Sequence, residues 1–303
     1  MSFSLIKRMS SDLLIAPNNL KYIIRTSPYR YKKYYIAKRG NRGQRLIAQP
    51  AKEVKQIQYW VIKNVLSKFD VHSAATAYKE GCSIRDNALI HAGNKCLLKL
   101  DFKDFFPSIT SQDIGFFLID SSLGFDEHEI KYLSAILSWS PTRSSEGIVA
   151  IGAPSSPMLT NAMLFDFDSK VYKWCEGNNI NYTRYADDIA LSGNSKKKLF
   201  KAKIIITKFL DAMDSPSLVL NKQKTVFAMK PFRRFVTGLY LSNDDKISLG
   251  RERKRLIRAQ VHYYLNGRLD KDEIESLKGM ISFSRSVEPT FVDRLEEKYG
   301  KLF

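Results

Sequence analysis

Two adjacent carboxylates, Asp187 and Asp188, sit between two short apolar runs of β type, at 180–185 and 189–192. No other feature constrains the fold as much. Two such runs joined by so few residues predict a hairpin with Ala186-Asp187-Asp188 at its bend. Strands of this composition read as buried, and a carboxylate left unpaired in a buried place is costly. A hard divalent cation with oxygen ligands would remove that cost. Exposure to water would remove it too, since Asp favours turns generally. Taken alone, the pair fits a solvated turn better.

Two further elements bear on that choice. In Leu97-Leu98-Lys99-Leu100-Asp101-Phe102, a short buried-looking strand, Leu98, Leu100 and Phe102 share one face while Lys99 and Asp101 share the other. Phe102, Phe105 and Phe106 crowd Asp101, so its carboxylate is either paired or a metal ligand. Asp104 reads as an exposed strand-end residue. In Gly152-Ala153-Pro154-Ser155-Ser156-Pro157 the small residues let a backbone approach a ligand closely, and the helix start at Ser156-Pro157 offers free N–H groups. An ordinary strand-to-helix turn accounts for it equally well.

Charge points outward to a partner. Of the 303 residues 49 are basic and 31 acidic, a net charge of +18. Residues 1–63 hold 14 of the basic and 2 of the acidic residues, hence +12, interleaved with Tyr22, Tyr29, Tyr31, Tyr34 and Tyr35. Cations contact phosphates and aromatic rings stack on exposed bases, so a nucleic acid is the expected polyanion. Aromatics at 12% exclude a disordered tail protein. The absence of any apolar run of about 18 residues excludes a spanning helix. Cys82, Cys96 and Cys175 lack metal-site spacing and fit free thiols in a reducing compartment.

The remaining pattern mixes helix and strand without regular alternation. A hairpin is expected at 34–37 and 45–48 around Gly40-Asn41-Arg42-Gly43. Helices are expected at 53–69, 126–138, after Ser156, at 196–213, from Arg251, and in a final segment to Phe303. Strands are expected around 218–228 and 235–241. This is an α+β chain with a split sheet.

Together, Tyr185-Ala186-Asp187-Asp188, the segment from Leu100 to Ile109 and the segment from Gly152 to Pro157 resemble, in order and spacing, the Tyr-x-Asp-Asp box, first carboxylate motif and Gly-x-x-x-Ser-Pro motif of reverse transcriptases. The resemblance covers roughly residues 40–260. Asn87-Ala88-Leu89-Ile90-His91, Val236-Thr237-Gly238 and Thr183-Arg184 before the catalytic box are similar to motifs of the bacterial retron enzymes. On the residues alone, Asn87 could be a helix cap, His91 a satisfied core residue and Gly238 a bulge. One departure stands out: Val149-Ala150-Ile151 occupies the place where relatives usually carry Leu-Pro-Gln.

The resemblance implies a right-hand polymerase with an antiparallel palm sheet and helices on one face. Fingers are expected at 1–92 and 113–147, palm at 93–112 and 148–230, and an RNA-binding thumb at 231–303. It implies RNA-directed DNA synthesis with two Mg2+ ions held by Asp101, Asp187 and Asp188, and Lys224 acting on the leaving pyrophosphate. Phe102, Phe106, Gly152, Arg45 and Lys79 are the implied dNTP contacts, with Phe106 as a steric gate against ribonucleotides. Asn87, His91, Val236, Thr237 and Gly238 are implied RNA contacts, joined by Arg251, Arg253, Lys254, Arg255 and Arg258 of the basic helix. The implied partners are a cognate structured noncoding RNA, its branched RNA–DNA product (msDNA) primed from a guanosine 2′-hydroxyl, dNTPs, and a separate effector protein encoded nearby that acts in antiphage defence. No membrane is involved, and the expected location is the bacterial cytoplasm. Two alternatives stay open: a nucleic-acid-binding scaffold that restrains an effector, and an intron-type reverse transcriptase.

Overall fold

The computed structural model describes residues 5–37 and 43–303, so Gly40, Asn41 and Arg42 of the first turn cluster lie outside the described residues. Strands β1 (Tyr31–Ala37) and β2 (Gln44–Pro50) form the expected antiparallel hairpin, with Tyr34 opposite Ile47. The centre is a four-stranded antiparallel sheet of β3 (Cys96–Asp101), β4 (Asn181–Tyr185), β5 (Asp188–Gly193) and β6 (Val226–Met229), in the order β4-β5-β3-β6. A three-stranded sheet follows: β7 (Arg234–Val236), β8 (Leu239–Leu241) and β9 (Ile247–Ser248).

Strand alternation decides what the central sheet presents. Leu98, Leu100, Ile189 and Leu191 enter the main core with Phe167 and Val171 of helix Phe165–Glu176 and Leu199, Ala202 and Ile206 of helix Lys196–Asp211. Leu97 and Ala190 point to the opposite face. Asp101 and Asp188 have the parity of Leu97 and Ala190, so they emerge there as well, at the sheet's end. That second face receives one short helix, Ile84–Ala92, through Ala88 and Ala92, together with Val236 and Leu239 of the smaller sheet. Helices Arg251–Leu265, Lys271–Val287 and Pro289–Tyr299 complete this second core through Ile257, Val261, Leu277, Ile281, Val292 and Leu295.

Several expected boundaries move for local reasons. The helix expected at 53–69 ends at Asn64, where Val65 leaves helical geometry (φ −123°), and a short 3-10 turn follows. The strand expected from 218 begins only at Val226. The Asn221 side chain accepts the Gln223 N–H at 3.1 Å and wraps the chain into the 3-10 turn Lys222–Lys224 instead. Residues 235–241 form two strands, turning at Thr237-Gly238 with positive φ at both positions, as a tight two-residue hairpin requires.

Candidate active site

Asp101 ends β3 and lies directly opposite Asp188, the first residue of β5. Tyr185 pairs with Asp188, so the loop between β4 and β5 is only Ala186 and Asp187. Ala186 takes φ 56°, a left-handed conformation that costs a non-glycine residue about 1–2 kcal/mol. Tertiary bonds hold it in place. The Phe102 N–H donates to the Asp187 carbonyl at 3.1 Å, and the Arg184 guanidinium donates to the Ala186 carbonyl at 3.2 Å. The 3-10 turn expected as strand brings in the fourth member: Lys224 Nζ donates to both Asp101 oxygens, at 2.8 and 3.1 Å, and the Asn221 N–H donates to the Asp101 carbonyl at 2.7 Å.

The electrostatics of this corner are unbalanced. Burial raises the Asp187 pKa, and the charges of Asp188 and Asp101 raise it further. Burial also raises Asp188; Lys99 opposes the shift, Asp101 adds to it, and Lys224 opposes it. Among the described residues no three His, Cys, Asp or Glu side chains are arranged as a metal cage. In this geometry Asp101 is turned to the Lys224 ammonium.

A second network lies under the hairpin, and the sequence reading missed it. Arg184 and Asp168 are both fully buried and joined by three bonds, Nη2 to Oδ2 at 2.6 Å and Nε to the two oxygens at 2.9 and 3.1 Å. The Tyr182 hydroxyl donates to Asp168 Oδ1 at 2.6 Å, and Arg184 also donates to Asn161 Oδ1 at 3.1 Å. A signal was present. Asp168 stands four residues after Leu164 and three before Val171, on the apolar face of its helix, where a carboxylate requires a partner.

The residues implied as nucleotide contacts divide. Phe102 must be corrected: its ring is buried, stacked on Phe105 at 5.3 Å and against Phe167, because its parity sends it into the main core. Phe106 is half-buried on the 3-10 turn Phe106–Ser108 just beyond Asp101, while Phe105 is the core residue. Gly152 has φ 118°, and a Cβ there would meet Ile47 Cγ2 at 2.9 Å and the Ala48 carbonyl oxygen at 3.0 Å. The close approach that requires glycine is thus to β2. Arg45 is exposed on β2, and its charge acts on the Tyr78 phenol, as does that of Asp187, so Arg45 borders the site. Lys79 is exposed beside Tyr78.

The residues implied as RNA contacts need more correction. Asn87, His91 and Val236 are buried, so their side chains face the interior rather than an open surface. Asn87 Nδ2 donates to Thr237 Oγ1 at 3.2 Å, so the two motifs, 150 residues apart, meet each other. His91 bridges β4 and β5, with Nε2 2.8 Å from Thr183 Oγ and Nδ1 2.8 Å from Ser192 Oγ. The motifs form an interior joint between the two sheets. Thr237 and Gly238 are half-buried at the hairpin turn. On the basic helix, Arg251, Arg255 and Arg258 are exposed. Lys254 is taken by Glu288 at 2.5 Å and Arg253 lies over the Phe283 ring at 5.2 Å, because these positions turn toward the helices behind; the exposed Arg258 also rests its guanidinium over the Phe291 ring at 5.2 Å. Arg234, absent from the sequence reading, is fully buried, donating to the carbonyls of Ala92, Asn94 and Ser242.

The joint has a pH signature. Burial pushes the His91 imidazole down to about 3. An unfolded histidine takes up its proton below about 6.5, so between those values the unfolded chain binds more protons and stability falls as pH falls, by up to about 1.4 kcal/mol per unit. The melting temperature is expected to drop by a few degrees between pH 7 and 5.5, and less in His91→Gln. Equal slopes in thermal melts of the two proteins would refute this role.

An antiparallel sheet carrying converging carboxylates at its end, with helices behind it, defines a right-hand polymerase. Residues 36–263 match the family described as reverse transcriptase (RNA-dependent DNA polymerase). The chain is 38% identical to the retron Ec83 reverse transcriptase of Escherichia coli over 89% of its length and 87% of that protein's. It is 34% identical to the retron Ec86 reverse transcriptase of Escherichia coli over 97% and 90%. An apo telomerase from Candida tropicalis superposes with a TM-score of 0.51 at 12% identity, over 88% of this chain and 58% of that one, a likeness of fold alone. The chain belongs to the reverse transcriptases, the RNA-directed DNA polymerases, and within them to those of retrons. Among the described residues no helix is long and apolar enough to cross a membrane.

Proposed function

We propose that the chain copies a structured noncoding RNA of its own locus into a branched RNA–DNA molecule, starting from a guanosine 2′-hydroxyl in that RNA. The observation that carries this reading is the meeting of Asp101, Asp187, Asp188 and Lys224 at one end of the central sheet. The donor set fits a hard divalent cation: it is all oxygen, and burial and mutual repulsion leave it short of positive charge. Asp101 and Asp187, with Asp188 beside them, would hold two Mg2+ ions, which when bound stabilise charge on the attacking and leaving oxygens.

The chain's own residues supply the rest. Lys224 is about half exposed (54%), so its ammonium can leave Asp101 and neutralise or protonate the pyrophosphate. Phe106, half-buried on the turn just beyond Asp101, would put a ring under the sugar and so clash with a 2′-hydroxyl. Arg45 and Lys79 offer cations to the triphosphate, and the Gly152 turn keeps β2 close. In this reading residues 1–92 and 113–147 are fingers, 93–112 and 148–230 palm, and 231–303 thumb. Arg251, Arg255 and Arg258 contact RNA phosphates from the thumb. The reading extends to a role in antiphage defence with a separate effector chain, in the bacterial cytoplasm.

The purified chain, given RNA transcribed from the DNA flanking its gene, dNTPs and magnesium, is expected to yield DNA covalently joined to that RNA. Ribonuclease digestion should leave a short RNA remnant on the DNA, which a debranching enzyme removes. DNA carrying no RNA remnant would sink the branched-priming reading. Incorporation of ribonucleotides as readily as deoxynucleotides would sink the gate at Phe106.

A further inference from the structure

A cleft of about 490 Å³ opens beside the three-stranded sheet, and of its lining only Arg251 has a role above. Phe232, Arg233, Tyr240, Ser248, Gly250 and Arg251 line it. Phe232 is 72% exposed, an unusual cost for a large ring with nothing resting on it. Arg233 and Arg251 are exposed, and among the described residues neither is in an ion pair. Glu252 is the single acid in the lining, so the free guanidinium groups outnumber it, while Lys254 is already neutralised by Glu288. The wall is fixed in place. Gly250 has φ 84°, and a Cβ there would fall 2.3 Å from the Tyr240 ring, which packs flush against the glycine. No side chain caps the helix that starts at Arg251, so its first N–H groups add to the positive field at the rim.

The cleft is also joined to the active site. Lys99 shares its face of β3 with Asp101, and its Nζ lies 5.8 Å from the Phe235 ring. Phe235 meets Tyr240 edge-on at 5.0 Å, and Tyr240 lines the cleft. A run of cation and aromatic side chains thus leads from the carboxylates to the cleft.

We propose that the cleft seats one unpaired nucleotide of a single-stranded RNA segment that runs past the active site, its base on the Phe232 ring and its phosphate between Arg233 and Arg251. This rests on the polymerase reading above and adds a site to it. Volume agrees, since pockets that enclose a compact ligand span roughly 300–1,000 Å³. The nucleotide must be unpaired because a base stacked within a duplex has no face free for the ring.

The test is binding of the full-length chain to a short fluorescein-labelled single-stranded RNA, compared with the same sequence as a blunt duplex. Phe232→Ala is expected to weaken single-strand binding about tenfold, the loss typical of one stacked base, and to leave duplex binding within about twofold. Arg233→Glu and Arg251→Glu should each lower the slope of log affinity against log salt by about one. Lys201→Glu, on the exposed side of helix Lys196–Asp211, should change neither the Phe232 preference nor single-strand affinity by more than about twofold. Thermal melts keep the result interpretable, because so exposed a ring contributes little to folding. Wild-type affinity in Phe232→Ala would overturn the site even with normal primer extension, and so would an equal loss on duplex. Failure of the wild-type chain to extend any primer would count against the polymerase reading instead.

Discussion

Asp187→Asn is expected to abolish DNA synthesis while leaving the fold intact. The change preserves shape, and the bond that ties this residue to β3 uses its backbone carbonyl, which accepts from the Phe102 N–H. What is lost is one negative charge from a corner where burial and neighbouring carboxylates already disfavour it. Synthesis should fall by at least about a thousandfold, roughly 4 kcal/mol of transition-state stabilisation. The melting temperature without metal should be unchanged or raised by a few degrees, since relieving like-charge repulsion at a functional site commonly returns about 1 kcal/mol. Asp101→Asn provides the contrast: it ends synthesis too, but it costs Lys224 its partner and so gains less stability. Product assays and melts on the same preparations check both. Residual synthesis above a hundredth of wild type would remove Asp187 from the chemistry. An unfolded Asp187→Asn would make it a structural residue.

The carboxylate corner was legible because it depends on strand parity alone. A period of two separates Lys99 and Asp101 from Leu98 and Leu100, and a two-residue loop fixes which residue of β5 faces Asp101. Parity should also have warned that Phe102 belongs to the core. The interior joint was less legible. Motif identity places Asn87 and His91 together but says nothing of their direction. The guide was Ala88 and Ala92, which share the buried stripe of that helix with Asn87 and His91. Polar residues inside a buried stripe read as exposed until their partners are known, and those partners, Thr237, Thr183 and Ser192, are at least 90 residues away. The basic helix shows the limit of local reading. Lys254 and Arg255 are adjacent and alike in sequence, yet only Lys254 meets Glu288, because the helices behind decide which face is covered.

Asp168→Ala is expected to be the most destabilising single change near the site. Arg184 and Asp168 are wholly removed from water, and deleting one partner leaves the other as an uncompensated buried charge, at a cost of about 3–5 kcal/mol. The Tyr182 hydroxyl also loses its acceptor. For a chain of this size the melting temperature should fall by about 5–8 °C. Losing both charges together is a different matter, since apolar residues of similar volume often replace a buried pair without net loss. Asp168→Leu combined with Arg184→Met should therefore recover most of the stability. Synthesis should not recover with it. Arg184 also donates to the Ala186 carbonyl, which helps hold the strained turn that places Asp187, and methionine cannot donate. Melts and single-nucleotide extension rates on the single and double variants separate the two roles. A double variant that regains both stability and rate would show that the pair serves the core alone. One that regains stability but not rate would show that the buried arginine positions the hairpin carrying the catalytic carboxylates.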